Sequence, residues 1–171
     1  YKQSNFYLNI ANYLNPKFYF NLTMLVENYY MIDDFEKSKS ILNNFQKDDQ
    51  IYQWYKIKKI AQIISIQKND NLSIKYIEDN FKKISKPDSK MFYDLANLYR
   101  QFKMYNKSID NYNLILDRFQ LDDLSKASIL YRRGTSYERL GNYSASDKDL
   151  LNSLKLNYDE AYVLNYLAYN W

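Results

Sequence analysis

Large apolar residues recur along this chain at helical spacing, each set with a small residue lodged inside it. The plainest case lies between Ala127 and Tyr158. Leu130, Gly134 and Tyr137 stand at i, i+4 and i+7, one face of a helix. Gly141-Asn142 breaks that helix, and Tyr143, Leu150, Leu151 and Leu154 then predict the apolar face of a second. The same pattern returns upstream. Leu22, Val26 and Tyr29 lead to a turn at Asp33-Asp34, then to Phe35, Ser38, Leu42 and Phe45. Ile57, Ala61 and Ile64 lead through Lys68–Asn71 to Ser73, Ile77 and Phe81. Phe92, Ala96 and Tyr99 precede Tyr105, Ser108, Tyr112 and Leu116.

Two independent series test this register. The small residues of the first helices are Val26, Ala61, Ala96, Gly134 and Ala168, separated by 35, 35, 38 and 34. Those of the second helices are Ser4, Ser38, Ser73, Ser108 and Ser146, separated by 34, 35, 35 and 38. Both give a period near 34, with one longer step. Extra residues around Arg118–Asp123 predict a longer turn between repeats there. The expected organisation is one repeat domain over 1–171: a half repeat at 1–16, repeats at 17–48, 49–87, 88–121 and 122–158, and a half repeat at 159–171. A fragment cut from a longer array is the expectation. The small residues predict close helix contacts, and the large ones around them fill the seams between stacked hairpins.

A large residue, a small one four later, an aromatic three beyond, a break and a second helix: this pattern resembles the tetratricopeptide repeat (TPR). The resemblance covers essentially the whole chain. It implies an all-α, right-handed superhelical solenoid of antiparallel helix pairs, about ten helices in all. Two features depart from the family pattern: Arg133 stands where a leucine normally precedes the small residue, and Lys68–Asn71 lacks a turn glycine. In the family, first helices line a concave face that contacts ligands. The resemblance places Tyr93, Asn97 and Arg100 there, then Tyr131, Arg132, Thr135 and Arg139, then Asn165, Tyr166 and Tyr169. Glu27, Tyr30, Lys58 and Gln62 are the earlier counterparts. Lys58 and Arg132 match two positions of the family's carboxylate clamp, but Gln62, Asp94 and Ser128 do not, so a full clamp is not expected. The segments GTSYERLGNY and VLNYLAYNW are similar to lines of α-proteobacterial TPR proteins, which implies a bacterial envelope or periplasmic adaptor.

Composition narrows the function classes. Only two glycines and two prolines interrupt 171 residues, which favours long helices joined by short turns. Twenty tyrosines match the residue usage of an AT-rich genome. The net charge of +4 is mild and its signs are interspersed, unlike the concentrated charge of a nucleic-acid binder. No stretch reaches the roughly 18 apolar residues of a membrane span. Without histidine or cysteine there is no Ser–His or Cys–His pair and no thiolate metal site. The pairs Asp33-Asp34, Asp48-Asp49 and Asp122-Asp123 sit at helix starts and are expected to cap them. Basic and aromatic residues interleave over Tyr52–Lys59, a pattern that can bind single strands. Trp54, Ile57 and Ala61 share one helix face, however, and predict that the lysines are solvated.

These readings converge on a non-catalytic scaffold or adaptor, without cofactor, metal or small-molecule substrate. It would hold a protein or peptide segment, acidic by the excess of arginine, in its concave groove. The alternatives are self-assembly through the terminal helices and, behind that, RNA binding by a helical repeat.

Overall fold

Capping side chains fix most of the helix starts. In a computed structural model, which describes residues 1–45, 49–158 and 161–170, the described residues form ten α-helices and no strand. They are α1 (Lys2–Leu14), α2 (Tyr19–Met31), α3 (Phe35–Leu42), α4 (Gln50–Gln67), α5 (Asp70–Phe81), α6 (Ser89–Gln101), α7 (Tyr105–Arg118), α8 (Asp123–Arg139), α9 (Tyr143–Leu156) and α10 (Ala161–Asn170). Asp34, Asp49, Asn69, Asp88, Asp122 and Asn142 each accept a backbone N–H of the helix they precede. The capping expected of Asp34, Asp49 and Asp122 is thus present; Asp48 lies outside the described residues.

Three hairpin turns share one geometry. Asp33, Lys103 and Gly141 all have a left-handed φ, at 59°, 59° and 75°. The N–H of the next residue returns to a carbonyl five back: Asp34 to Tyr29, Met104 to Tyr99, Asn142 to Tyr137. This doubly bonded C-terminal turn satisfies carbonyls that the helix leaves open. Only one of the three uses glycine.

The chain forms two compact units, 1–85 and 86–171. In the first, α2 pairs with α3 and α4 with α5, while α1 lies on α2. Its core gathers Leu22, Leu25, Val26, Leu42 and Phe45 under Tyr19, Tyr52 and Tyr55. α3 stops at Leu42, so Phe45 enters this core from beyond the helix rather than from it. In the second unit, α6 pairs with α7 and α8 with α9; α8 also packs on α7, and α10 on α9. Ala96, Tyr112, Ile115 and Ile129 form its core.

The small-residue register holds inside the stacks. Val26, Ala61 and Ala96 are buried. So is Gly134, where a Cβ would come within 3.1 Å of Leu150. Ser38, Ser73, Ser108 and Ser146 are buried too. Ser38 Oγ donates to the Val26 carbonyl (3.3 Å) and Ser73 Oγ to that of Ala61 (2.8 Å), so the serine ties the second helix to the small residue's own backbone. At the terminal helices the register differs. Ser4 is exposed and Asn5 is buried, because Asn28 Nδ2 donates to Asn5 Oδ1 (2.8 Å) and to Ser4 Oγ (3.1 Å). Ala168 and Leu164 are exposed; α10 meets α9 through Val163, and no described helix covers its other face.

Three further expectations are corrected. The long step is not a longer turn: α7 and α8 are joined by four residues, Phe119–Asp122, as many as join α1 to α2. The extra residues are taken up in helix: Gly134 stands 11 residues into α8, as Ala61 does in α4, against 7 for Ala96 in α6, and α7 runs ten residues past Ser108 against eight past Ser73 in α5. Tyr143 and Leu151 are exposed, because α9 buries Ser146, Asp149, Leu150 and Ser153, the true i, i+3, i+4, i+7 stripe. Finally, Lys59 is not solvated. It is only 8% exposed, and its ammonium lies 2.8 Å from Glu27 and 4.2 Å over the Tyr30 ring.

Candidate partner-binding face

The first helices of the second unit bring aromatic and cationic side chains together. Tyr93 on α6 and Arg132 on α8 are 39 residues apart, yet Arg132 Nε donates to the Tyr93 hydroxyl at 2.6 Å. The guanidinium also lies over the Tyr93 ring, 5.6 Å from its centre. Such a cation–ring contact reinforces the hydrogen bond. The same phenol oxygen also shares a hydrogen bond with Ser128 Oγ, 2.9 Å away on α8. A ring and a fork are thereby held in fixed orientation between two helices.

Beneath them lies Tyr112 of α7, fully buried, whose hydroxyl donates to Asn97 Oδ1 at 2.7 Å. Burial pushes the Tyr112 phenol up to about 12, against smaller lowering influences that include Arg100 and Arg132 nearby. Asn97 is therefore oriented by the core below it. Arg100, one turn on, has a buried Nε with no hydrogen-bond partner.

The remaining expected residues fall in different settings. Tyr131 is half-buried on α8. Thr135 is buried and its hydroxyl turns back to the Arg132 carbonyl at 2.9 Å. Arg139 is exposed at the end of α8, with Nε 3.5 Å from Glu138. On α10, Asn165 is exposed and Tyr166 half-buried; the side chain of Tyr169 lies outside the described residues. In the first unit, Glu27 is already engaged, accepting from Tyr55 at 2.8 Å and from Lys59 at 2.8 Å. Burial, then the hydrogen bond to Glu27, raises the Tyr55 phenol strongly. Lys58 lies 5.6 Å over the Trp54 ring and Gln62 is exposed.

Arg133, the departure from the leucine pattern, is explained by its partner. Nε and Nη2 grip both Asp149 oxygens at 2.6 and 2.7 Å, and Nη1 donates to Asn113 Oδ1 at 2.6 Å. Burial lowers the Arg133 guanidinium, but the Asp149 carboxylate outweighs it and raises it overall. These bonds tie α7, α8 and α9 together.

No protein-family model matches the sequence, and no curated protein matches it. Solved structures do. YrrB, described as a TPR protein with an unusual peptide-binding site, superposes with a TM-score of 0.63 over 98% of this chain and 83% of its own, at 10% identity. A chain of the APC/C hetero-tetramer Cut9–Hcn1 superposes with a TM-score of 0.60 over 99% of this chain, at 15% identity. This chain spans 33% of that one. The fold is that of the tetratricopeptide repeat. In TPR terms α2, α4, α6, α8 and α10 are first helices, and α1, α3, α5, α7 and α9 are second helices. Sequence reasoning missed three things: the Tyr112–Asn97 bond, the Lys59–Glu27 pair and the extra helix, in α7 and α8, that takes up the long step. Only the last had a signal, the 38-residue step.

Proposed function

We propose that this TPR chain is a non-catalytic interaction scaffold that holds a partner peptide on the first helices of its second unit. The observation that carries the reading is the Arg132–Tyr93–Ser128 bridge, which fixes an aromatic plane and a guanidinium before any ligand arrives. Preorganised side chains lose less entropy on binding. Arg100, Tyr131, Arg139, Asn165, Tyr166 and Tyr169 extend the proposed face, and Asn97 lends it an oriented amide. Two arginines favour a peptide carrying carboxylates, which a planar fork binds with two parallel hydrogen bonds. The YrrB description supports a peptide ligand by fold likeness alone. A bacterial envelope setting is part of the same proposal and rests on the sequence reading of 134–143 and 163–171 alone.

The test is a displayed random-peptide library enriched on the wild-type chain and measured against Arg100→Glu/Arg132→Glu. Enriched peptides rich in Asp and Glu should lose at least tenfold in affinity on the variant, about the effect of one charge-assisted contact. Equal binding to both chains would remove the face from consideration.

A second reading is self-association. It is favoured by the apolar side chains that α1 leaves exposed, Phe6, Tyr7, Ile10 and Leu14, and by Leu164 on α10. Sedimentation at two concentrations decides it: a single monomeric species at both removes this reading.

A further inference from the structure

A cavity of about 470 Å³ lies at the heads of α6 and α8. Measured from their small residues, α8 begins four residues, about 6 Å of helix, earlier than α6. Ile115 and Ile129, both buried, line the cavity, with Leu121 of the connection and Leu124 of the first turn of α8. Lys90 and Tyr93 of α6 line it opposite. We propose that this cavity is an anchor pocket for one aromatic or leucine-sized side chain of the partner peptide, with an acidic residue beside it. The inference rests on the peptide-binding reading of the adjoining face, to which Tyr93 is common.

Three observations select that occupant. Four of the nine lining residues are aliphatic and a fifth is Tyr93, the rest being three serines and Lys90, and the volume falls within the range of about 300–1,000 Å³ typical of ligand sites. Among the described residues that line it, Lys90 is the one that is charged, so a carboxylate next to the anchor meets a cation. Asp88 and Asp122, at the heads of the two helices, have their oxygens turned to the amides of Met91 and Ser125. Both helix starts are thus already capped, which argues against a free anion as the occupant.

Methyl-labelled protein titrated with N-acetyl-phenylalaninamide, and separately with N-acetyl-alaninamide, tests this. The expected result is saturable shifts confined to the methyls of Ile115, Leu121, Leu124 and Ile129, at least about tenfold tighter for the phenylalanine probe, as burial of a ring requires. Leu124→Asp should abolish that selectivity. Leu124 is 66% exposed in the first turn of α8, where a carboxylate is favourable, so the variant should melt like the wild type. Leu124→Met should retain it. Shifts that are absent, spread over the molecule or equal for the two probes would overturn the pocket. Failure of the wider groove has a different signature: library peptides that ignore Arg132→Glu.

Discussion

Lys103 carries a cost that its position makes visible. Its φ of 59° places a bulky side chain in the left-handed region, where glycine pays no steric penalty. Lys103→Gly should therefore stabilise the second unit by about 1 kcal/mol, raising its melting temperature. Asp149 shows the opposite sensitivity. It is buried and its partner is Arg133, so Asp149→Ala strands a guanidinium and should cost about 3–5 kcal/mol, whereas Arg133→Leu with Asp149→Leu should recover most of that loss. Chemical denaturation of these two variants beside the wild type measures the difference; a double variant as weak as the single would contradict it. The buried phenols supply a pH prediction. Tyr112 favours the neutral form, so its stabilisation is complete below about pH 10, the unfolded phenol's value, and is lost as pH rises toward about 12. Absorbance at 295 nm should show a lagging fraction in the folded protein, and Tyr112→Phe should shrink it.

At the scale of helices, the register was legible because it is repeated. A small residue recurring near every 35 positions marks the close approach of two backbones, and Val26, Ala61, Ala96 and Gly134 are buried where that spacing puts them. Gly134→Leu should overpack α8 against α9, costing about 1–3 kcal/mol by thermal melt. The serine positions were also legible, but their reason was not: the bonds to the Val26 and Ala61 carbonyls depend on helix rotation, which spacing does not encode. The terminal helices read less well. Ser4 and Ala168 fit the spacing, yet neither is buried, because burial needs a neighbour as well as a pattern. The 38-residue step announced an insertion without saying whether helix or turn would absorb it. Helix absorbed it: Asp122 caps α8 twelve residues before Gly134, as Asp49 caps α4 twelve before Ala61, and only four residues join α7 to α8.

At the scale of the molecule, the all-α repeat architecture followed from periodicity and the scarcity of breakers, and the TPR likeness of solved structures bears it out. The candidate face was legible as a set of positions, since Tyr93, Asn97, Arg100 and Arg132 all lie on first helices. What joins them was not legible. A 39-residue contact such as Arg132 to Tyr93 depends on how one hairpin seats on the next, and the apolar pattern fixes only which faces meet. The central claim is that this bridge presents a peptide-binding surface. The most direct measurement is the affinity of library-enriched acidic peptides for the wild type, Arg132→Glu and Tyr93→Phe, with circular dichroism melts alongside. The account predicts loss of at least tenfold for Arg132→Glu and a smaller loss for Tyr93→Phe, which frees the guanidinium from its hydroxyl partner, while all three chains remain folded. Peptides that bind the three chains equally would contradict it.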